Sequence, residues 1–248
     1  MALRRFRADL HIHSCLSPCG ELTMSPRRII NQALAEGLDI IALCDHNTAE
    51  NAAAAIRAAA GMGLTVLPGM ELTSEEEVHI LGLFESMDDV LPVQEKVFRK
   101  LPEVASKKKF IEDQVIVNED DEVMGFSPHC LLAATRLDVY EIVELIHRQG
   151  GLAIASHIDR EAFGLISQLG FIPPDLELDA LEVSPRVTIA EARASYEALA
   201  HLPLVRFSDA HRPEEIGRTT TGFLLASPLL GEIRLALKGM EGRSILES

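Results

Sequence analysis

The chain has 248 residues, 47% of them apolar, enough for one sizeable core, and its 38 Asp and Glu against 23 Lys and Arg leave a formal charge of −15. Such a charge argues against long contacts with duplex DNA or RNA, which need a Lys/Arg surface, but it leaves room for a small anionic substrate where cations supply local positive charge. Four scattered cysteines, no apolar run of membrane-spanning length and no apolar stretch after Arg4, Arg5 and Arg7 predict one domain, 1–248, cytoplasmic, with reduced thiols.

Ala8 to His13 reads as a strand. Ser25 as N-cap and Pro26 at the first helical position open a helix that runs to Gly37. Asp39 to Cys44 is a continuous apolar strand that ends in Asp45-His46, and Ala49 to Ala60 an alanine-rich helix stopped by Gly61 and Gly63. Leu64 to Leu67 is the next strand, leading through Pro68-Gly69 to Glu71, and Val78 to Phe84 is another.

From about 85 to 135 the chain turns polar, with Lys107-Lys108-Lys109 and the acidic run Glu119 to Glu122, and this stretch is read as an insertion or lid with solvated charge runs. Within it, Gln114 to Asn118 and Glu122 to Phe126 could pair as a hairpin. The alternation resumes with a helix over Asp138 to Gln149 and strands at Leu152 to Ala155, Leu178 to Val183 and Leu202 to Phe207. Alternating strands and helices imply an α/β fold with a mostly parallel sheet, and about seven strands favour a distorted barrel over an open sheet.

Six of the nine histidines lie at or beside the ends of these apolar runs, next to carboxylates: Asp9-Leu-His11-Ile-His13, Asp45-His46, Glu71 with His79, His157, and Asp209-Ala-His211. Histidine with carboxylate is a ligand set for Zn, Mn and Fe, and clusters on successive strand ends predict a multinuclear metal site. Asp9, His11 and His13 share one face of their strand, so Asp9 is placed to accept the spare imidazole N–H; Asp45 is read as a second such outer carboxylate. Glu71 can bridge two cations. His79 begins its strand rather than ending it, and position alone leaves its role open. His129, His147 and His201 receive no metal role.

These segments, Asp9-Leu-His-Ile-His-Ser14, Cys44-Asp-His-Asn47, Gly69-Met-Glu71, Ser156-His157 and Ser208-Asp-Ala-His211, occur in the order of the motifs of the PHP (polymerase and histidinol phosphatase) family, which the chain resembles from residue 9 to 211. The resemblance implies a distorted, TIM-like (β/α)7 barrel with an inserted mid-chain segment and two or three divalent ions (Zn, Mn or Fe) at its C-terminal face. It implies His11, His13, His46, Glu71, His79, His157, Asp209 and His211 as ligands, which strengthens the case for His79. One departure stands out. Many members carry Asp in a Ser-x-Asp-Gly setting after the histidine pair, where this chain has Ser14-Cys-Leu-Ser-Pro-Cys-Gly20, so either Cys19 or Glu21 takes that place or one ion is held less firmly.

The function expected is hydrolysis of small phosphate monoesters, nucleotide-type or a short RNA end, by a metal-bridging hydroxide, with Glu71, Asp209 and His211 at the reacting centre. Asp209 or a nearby histidine is the candidate proton donor to the leaving group, and Arg160 and Arg186 are candidates to grip a second phosphate. The alternatives are a 5'-3' exonuclease on short oligonucleotides and a metal-dependent amidohydrolase. Oligomeric state is not readable.

Overall fold

The computed structural model describes residues 2–103, 114–196 and 202–246. The first half alternates as the sequence predicts: β1 (Arg4–Ile12), α1 (Pro26–Ala35), β2 (Ile40–Leu43), α2 (Ala52–Ala58) and β3 (Thr65–Thr73), with each strand parallel to the next. Ser25 does occupy the N-cap of α1 in an extended conformation, but its side chain makes no capping hydrogen bond. β2 is buried on both faces: Ile40 and Ala42 face the interior of the curled sheet, and Ile41 and Leu43 pack on Ile29, Ile30 and Ala33 of α1.

β3 runs on without a break through Pro68 and Gly69 to Thr73, longer than the strand read from Leu64 to Leu67. A Cβ at Gly69 would stand 2.6 Å from Cys44 Sγ, so only glycine lets the two strands approach there. β4 (His79–Leu83) follows directly and runs antiparallel to β3 and to β7 (Leu152–Ala155). This reversal breaks the expected parallel order, and it has a consequence for the site. The start of β4 lies at the same sheet edge as the ends of the parallel strands, with His79 opposite Thr73 and its carbonyl accepting from Ser156 N–H at 3.1 Å.

The stretch read as an insertion begins with a helix, α3 (Met87–Phe98), that the sequence reading missed. Its Val90, Val93 and Val97 enter the main core with Met70, Leu72 and Phe84, so this part of the segment is not a surface excursion. The hairpin forms as expected from β5 (Val115–Val117) and β6 (Val123–Phe126), and its acidic turn meets Arg27 and Arg57 in exposed ion pairs. Lys107 to Lys109 and His201 lie outside the described residues.

α4 (Val139–Arg148) starts from Asp138, whose side chain accepts the Glu141 N–H in a reciprocal cap. After β7 come α5 (Leu165–Leu169), β8 (Ala180–Glu182), α6 (Ile189–Ser195) and β9 (Leu204–Val205), with β7, β8 and β9 parallel. Beyond β9 the chain returns to β1, where His13 N–H donates to the Ala210 carbonyl at 2.9 Å and Ile12 bridges Ala210. The result is a mixed α/β fold with a curled, half-barrel sheet and seven α-helices among the described residues. Two strands not read from the sequence, β10 (Thr221–Leu225) and β11 (Ser244–Leu246), extend the sheet beyond β1, and α7 (Leu230–Leu237) joins them. No described helix is long and apolar enough to cross a membrane.

Candidate metal centre

Glu71 is the centre of the site. Its Oε1 lies 3.4 Å from His11 Nε2, 3.0 Å from His79 Nδ1 and 3.2 Å from His157 Nε2. Its Oε2 lies 3.4 Å from His13 Nε2 and 3.2 Å from His46 Nδ1. All six side chains are buried at the strand edge just described. Asp209 joins from the other side, with Oδ1 at 3.3 Å from His11 Nε2 and 3.2 Å from His13 Nε2. The structure thus gathers every residue whose ligand role the sequence raised in the histidine and carboxylate clusters, His79 included.

The residues around the imidazoles assign their tautomers. His11 Nδ1 is 2.9 Å from a Glu182 oxygen, so it carries the proton and turns Nε2 inward. Ser17 Oγ donates its one proton to Asp45 at 2.6 Å and therefore accepts the Nδ1–H of His13 at 3.0 Å. His211 Nδ1 donates to the Asp209 carbonyl at 2.8 Å. In the neutral form of each ring, Nε2 is thus the nitrogen left to bind a cation. The Nε2 atoms of His11 and His13 stand only 3.1 Å apart, a repulsive pairing unless a cation lies between them.

Two outer roles differ from the sequence reading. Asp9 does not meet an imidazole; its carboxylate accepts Ser208 N–H at 3.0 Å and Gly217 N–H at 2.9 Å and so anchors the turn that carries Asp209. Burial pushes its carboxyl up to about 6 despite those bonds. Glu182, which the sequence reading missed, takes the role given to Asp9. Its only signal was a charged residue inside a short buried strand. Asp45 does act as an outer carboxylate, but through Ser17 and through Ser14, whose N–H and Oγ donate to it at 2.7 and 2.6 Å.

Asn47, His157 and Asp209, each just past a strand, hold left-handed backbones at φ +54°, +27° and +50°. Such conformations cost about 1–3 kcal/mol each and mark places where packing and hydrogen bonds override local preference. Asn47 shows how: its side chain donates to the Leu131 and Ala133 carbonyls and accepts Thr73 N–H at 3.1 Å, fastening β2, β3 and the chain behind the hairpin.

Cys19 Sγ and ring nitrogens of His13, His46 and His211 lie within 4.8 Å of one another, whereas Glu21 is exposed and paired with Arg212. Arg160 reaches Asp209 Oδ2 at 2.6 Å and, with Arg186, lines a cavity of about 320 Å³ that opens beside Asp209 and His211. Arg218 and Thr219 line the same cavity and were not singled out in the sequence. His147 is instead 2.9 Å from Asp179, and His129 stacks on Phe98, in keeping with no metal role for either.

The donor set fits divalent cations. The Nδ1 atoms of His46 and His79, which face Glu71, and the Oε1 of Glu71 are buried without a hydrogen-bond partner among the described residues, an arrangement that is costly unless something else satisfies them. The profile of the PHP domain matches residues 9–216. The chain belongs to the PHP domain family. This PHP chain is similar to a 5'-3' exoribonuclease of Haemophilus influenzae, 26% identical over an alignment of 188 positions, with 60% of this chain and 68% of that protein covered.

Among solved structures it is similar to the lesion-specific endonuclease Q of Pyrococcus furiosus, with a TM-score of 0.77 and 21% identity over 98% of this chain and 58% of the other. The chain therefore spans little more than half the length of that enzyme. It is also similar to a Bifidobacterium adolescentis protein provisionally designated a metal-dependent phosphoesterase, with a TM-score of 0.58 and 19% identity over 82% of this chain and 87% of that one. At these identities the structural likenesses are likenesses of fold. The expectation of a PHP-type scaffold that gathers residues able to hold metal ions is upheld.

Proposed function

We propose that the protein is a metal-dependent phosphoesterase that hydrolyses small phosphate monoesters, nucleotides foremost. The observation that carries this reading is Glu71, whose two oxygens divide five imidazoles into two groups and so mark out two neighbouring cation positions. The proposed ligands are His11, His13, His46, Glu71, His79, His157, Asp209 and His211, for two or three Zn, Mn or Fe ions. Bound there, divalent cations supply hydroxide at neutral pH and neutralise charge on a phosphoryl group.

The chain's own residues do the remainder. Glu182, Ser17 and the Asp209 carbonyl hold the Nδ1–H of three imidazoles and so turn their Nε2 atoms toward the cation positions. Asp209, considered from the sequence as a proton donor, is read as an anion instead. Burial favours its neutral form, but the charges of His11 and His13 outweigh that and hold the carboxyl well below its usual range, with Arg160 paired to it. It stands as an anion that orients its neighbours. Arg160, Arg186 and Arg218 offer paired N–H donors to a second phosphate in the cavity beside Asp209, and the buried Nε of Arg160 has no other partner among the described residues.

The similarity to an exoribonuclease favours one second reading, a 5'-3' exonuclease on short oligonucleotides, in which the arginine cavity takes the 5' phosphate. One panel separates the two: phosphate or nucleotide release by Mn-reconstituted protein from nucleoside 3',5'-bisphosphates, 5'-monophosphates, histidinol phosphate and a 5'-phosphorylated trinucleotide, with a chelated control. Endonuclease Q has been solved with a 27-mer duplex bearing an abasic lesion, so such a duplex is the last arm, and at a charge of −15 no cleavage is expected from it. Metal-dependent release from the bisphosphates alone supports the monoesterase, and mononucleotide release from the trinucleotide supports the exonuclease. Silence on every phosphate substrate with metal bound would overturn both and bring the amidohydrolase forward.

A further inference from the structure

We infer that Cys19 is a thiolate ligand of this centre, and that its sulfur makes the two cation positions chemically unequal, so that the His13 side selects a thiophilic ion of the zinc class. The inference rests on the metal-centre reading above. Glu71 Oε1 faces His11, His79 and His157, while Oε2 faces His13 and His46. Sulfur is present on the second side only, where Cys19 Sγ and nitrogens of His13, His46 and His211 lie within 4.8 Å of one another. Ligand atoms around a tetrahedral ion with bonds of about 2.0–2.3 Å stand about 3.3–3.8 Å apart, so the group has to close by about 1 Å.

The loop that presents Cys19 is built, not draped. Ser17 N–H donates to the Ser14 carbonyl at 3.1 Å and Gly20 N–H to the Ser17 carbonyl at 2.8 Å, which makes two consecutive tight turns and sets Cys19 in the second. A Cβ at Gly20 would lie 2.6 Å from the Ser14 carbonyl, so the turn requires glycine. Glu21 N–H then donates to the His211 carbonyl at 2.9 Å and fastens the loop to another member of the same group. The oxygen alternative, Glu21, is committed to Arg212.

Three imidazoles and a thiolate are a zinc-type donor set, whereas the other side offers imidazole nitrogen and carboxylate oxygen alone, which Mn or Fe(II) also accepts. On binding, the S–H bond breaks, the sulfur–metal bond forms and the proton leaves to solvent. The structure therefore points to a mixed-metal centre.

The test is spectroscopic. Metal-free protein is loaded with zinc, or with cobalt(II) in its place, and followed by X-ray absorption at the zinc edge and by the near-ultraviolet thiolate-to-cobalt charge-transfer band. One sulfur neighbour per protein at about 2.3 Å is expected, absent in Cys19→Ser and retained in Cys130→Ser. Cys19→Asp should keep the metal stoichiometry and shift zinc-against-manganese competition at least tenfold toward manganese, with an unchanged melting temperature showing that the fold is intact. Zinc bound through nitrogen and oxygen alone overturns the inference, and if phosphate is still released, the phosphoesterase reading survives it. A sulfur signature in a protein that releases no phosphate does the converse, and failure to bind any metal overturns both.

Discussion

Glu182 accepts the Nδ1–H of His11 at 2.9 Å across 171 residues of chain, and both side chains are fully buried. This contact fixes which nitrogen of His11 faces Glu71 and raises its basicity. Replacing Glu182 by Gln keeps the shape and an acceptor but removes the charge. Metal affinity, measured by competition with a chelator, should fall about 10–100-fold, with turnover following it at limiting metal. Unchanged affinity would show that the contact only fills space.

Much of the site was legible because strand ends are written in short, sharp words. An apolar run followed by Asp-His or Ser-His puts the polar pair where the strand leaves the sheet, and β2 and β7 obey that rule. Glu182 was hidden because its strand, read from Leu178 to Val183, carries no histidine to draw attention to it, although a charge inside it can only be there with a buried partner. His79 was ambiguous because sequence does not give strand direction: the antiparallel pairing of β4 with β3 turns a strand start into a site residue. β10, α7 and β11 carry no chemistry and no strong period, and they emerge only from packing against β1.

Gly69 tests the close approach of β2 and β3. Gly69→Ala drives a methyl to 2.6 Å from Cys44 Sγ and 3.1 Å from the Gly82 carbonyl. A loss of about 1–3 kcal/mol is expected in denaturant unfolding. Cys44→Ala, which clears the side chain but not the carbonyl, should restore only part of the loss when combined with it.

The arginine cavity predicts a split in kinetic constants. Arg218→Ala should raise KM for a nucleoside 3',5'-bisphosphate about 10–100-fold, the worth of a hydrogen bond to a charged group. For a substrate with a single phosphate, kcat and KM should hardly move. An equal loss on both substrates would place Arg218 outside substrate recognition.

Metal-free protein should have a two-sided pH profile. His13 is held up at about 9: burial alone would lower it, but hydrogen bonds to Asp209 and Glu71 outweigh that. Its stabilising contribution is complete below its ordinary value of 6.5 and is lost as pH rises through 9. His211 is lowered to about 4 by burial and by the His13 charge, so its contribution is complete above 6.5 and lost as pH falls through 4. His11, held high by Glu182, adds to the alkaline flank, and burial of His46 adds to the acid one. The melting temperature in chelator should therefore peak near pH 6.5, and adding zinc or manganese should raise it most on the alkaline side, where the ligands are deprotonated. A melting temperature that rises steadily from pH 4 to 9 without metal would contradict the burial and pairing of these groups.

The bonds from Asp9 to Ser208, 199 residues away, and from His13 to Ala210 give the protein a fixed order of assembly. The first histidine pair is made long before the turn that carries Asp209 and His211. Closing so long a loop costs about 5 kcal/mol of chain entropy, which only near-complete packing can offset. A nascent chain that lacks this turn therefore holds a few scattered histidines but no centre, and selective metal capture waits until the turn has been made and packed.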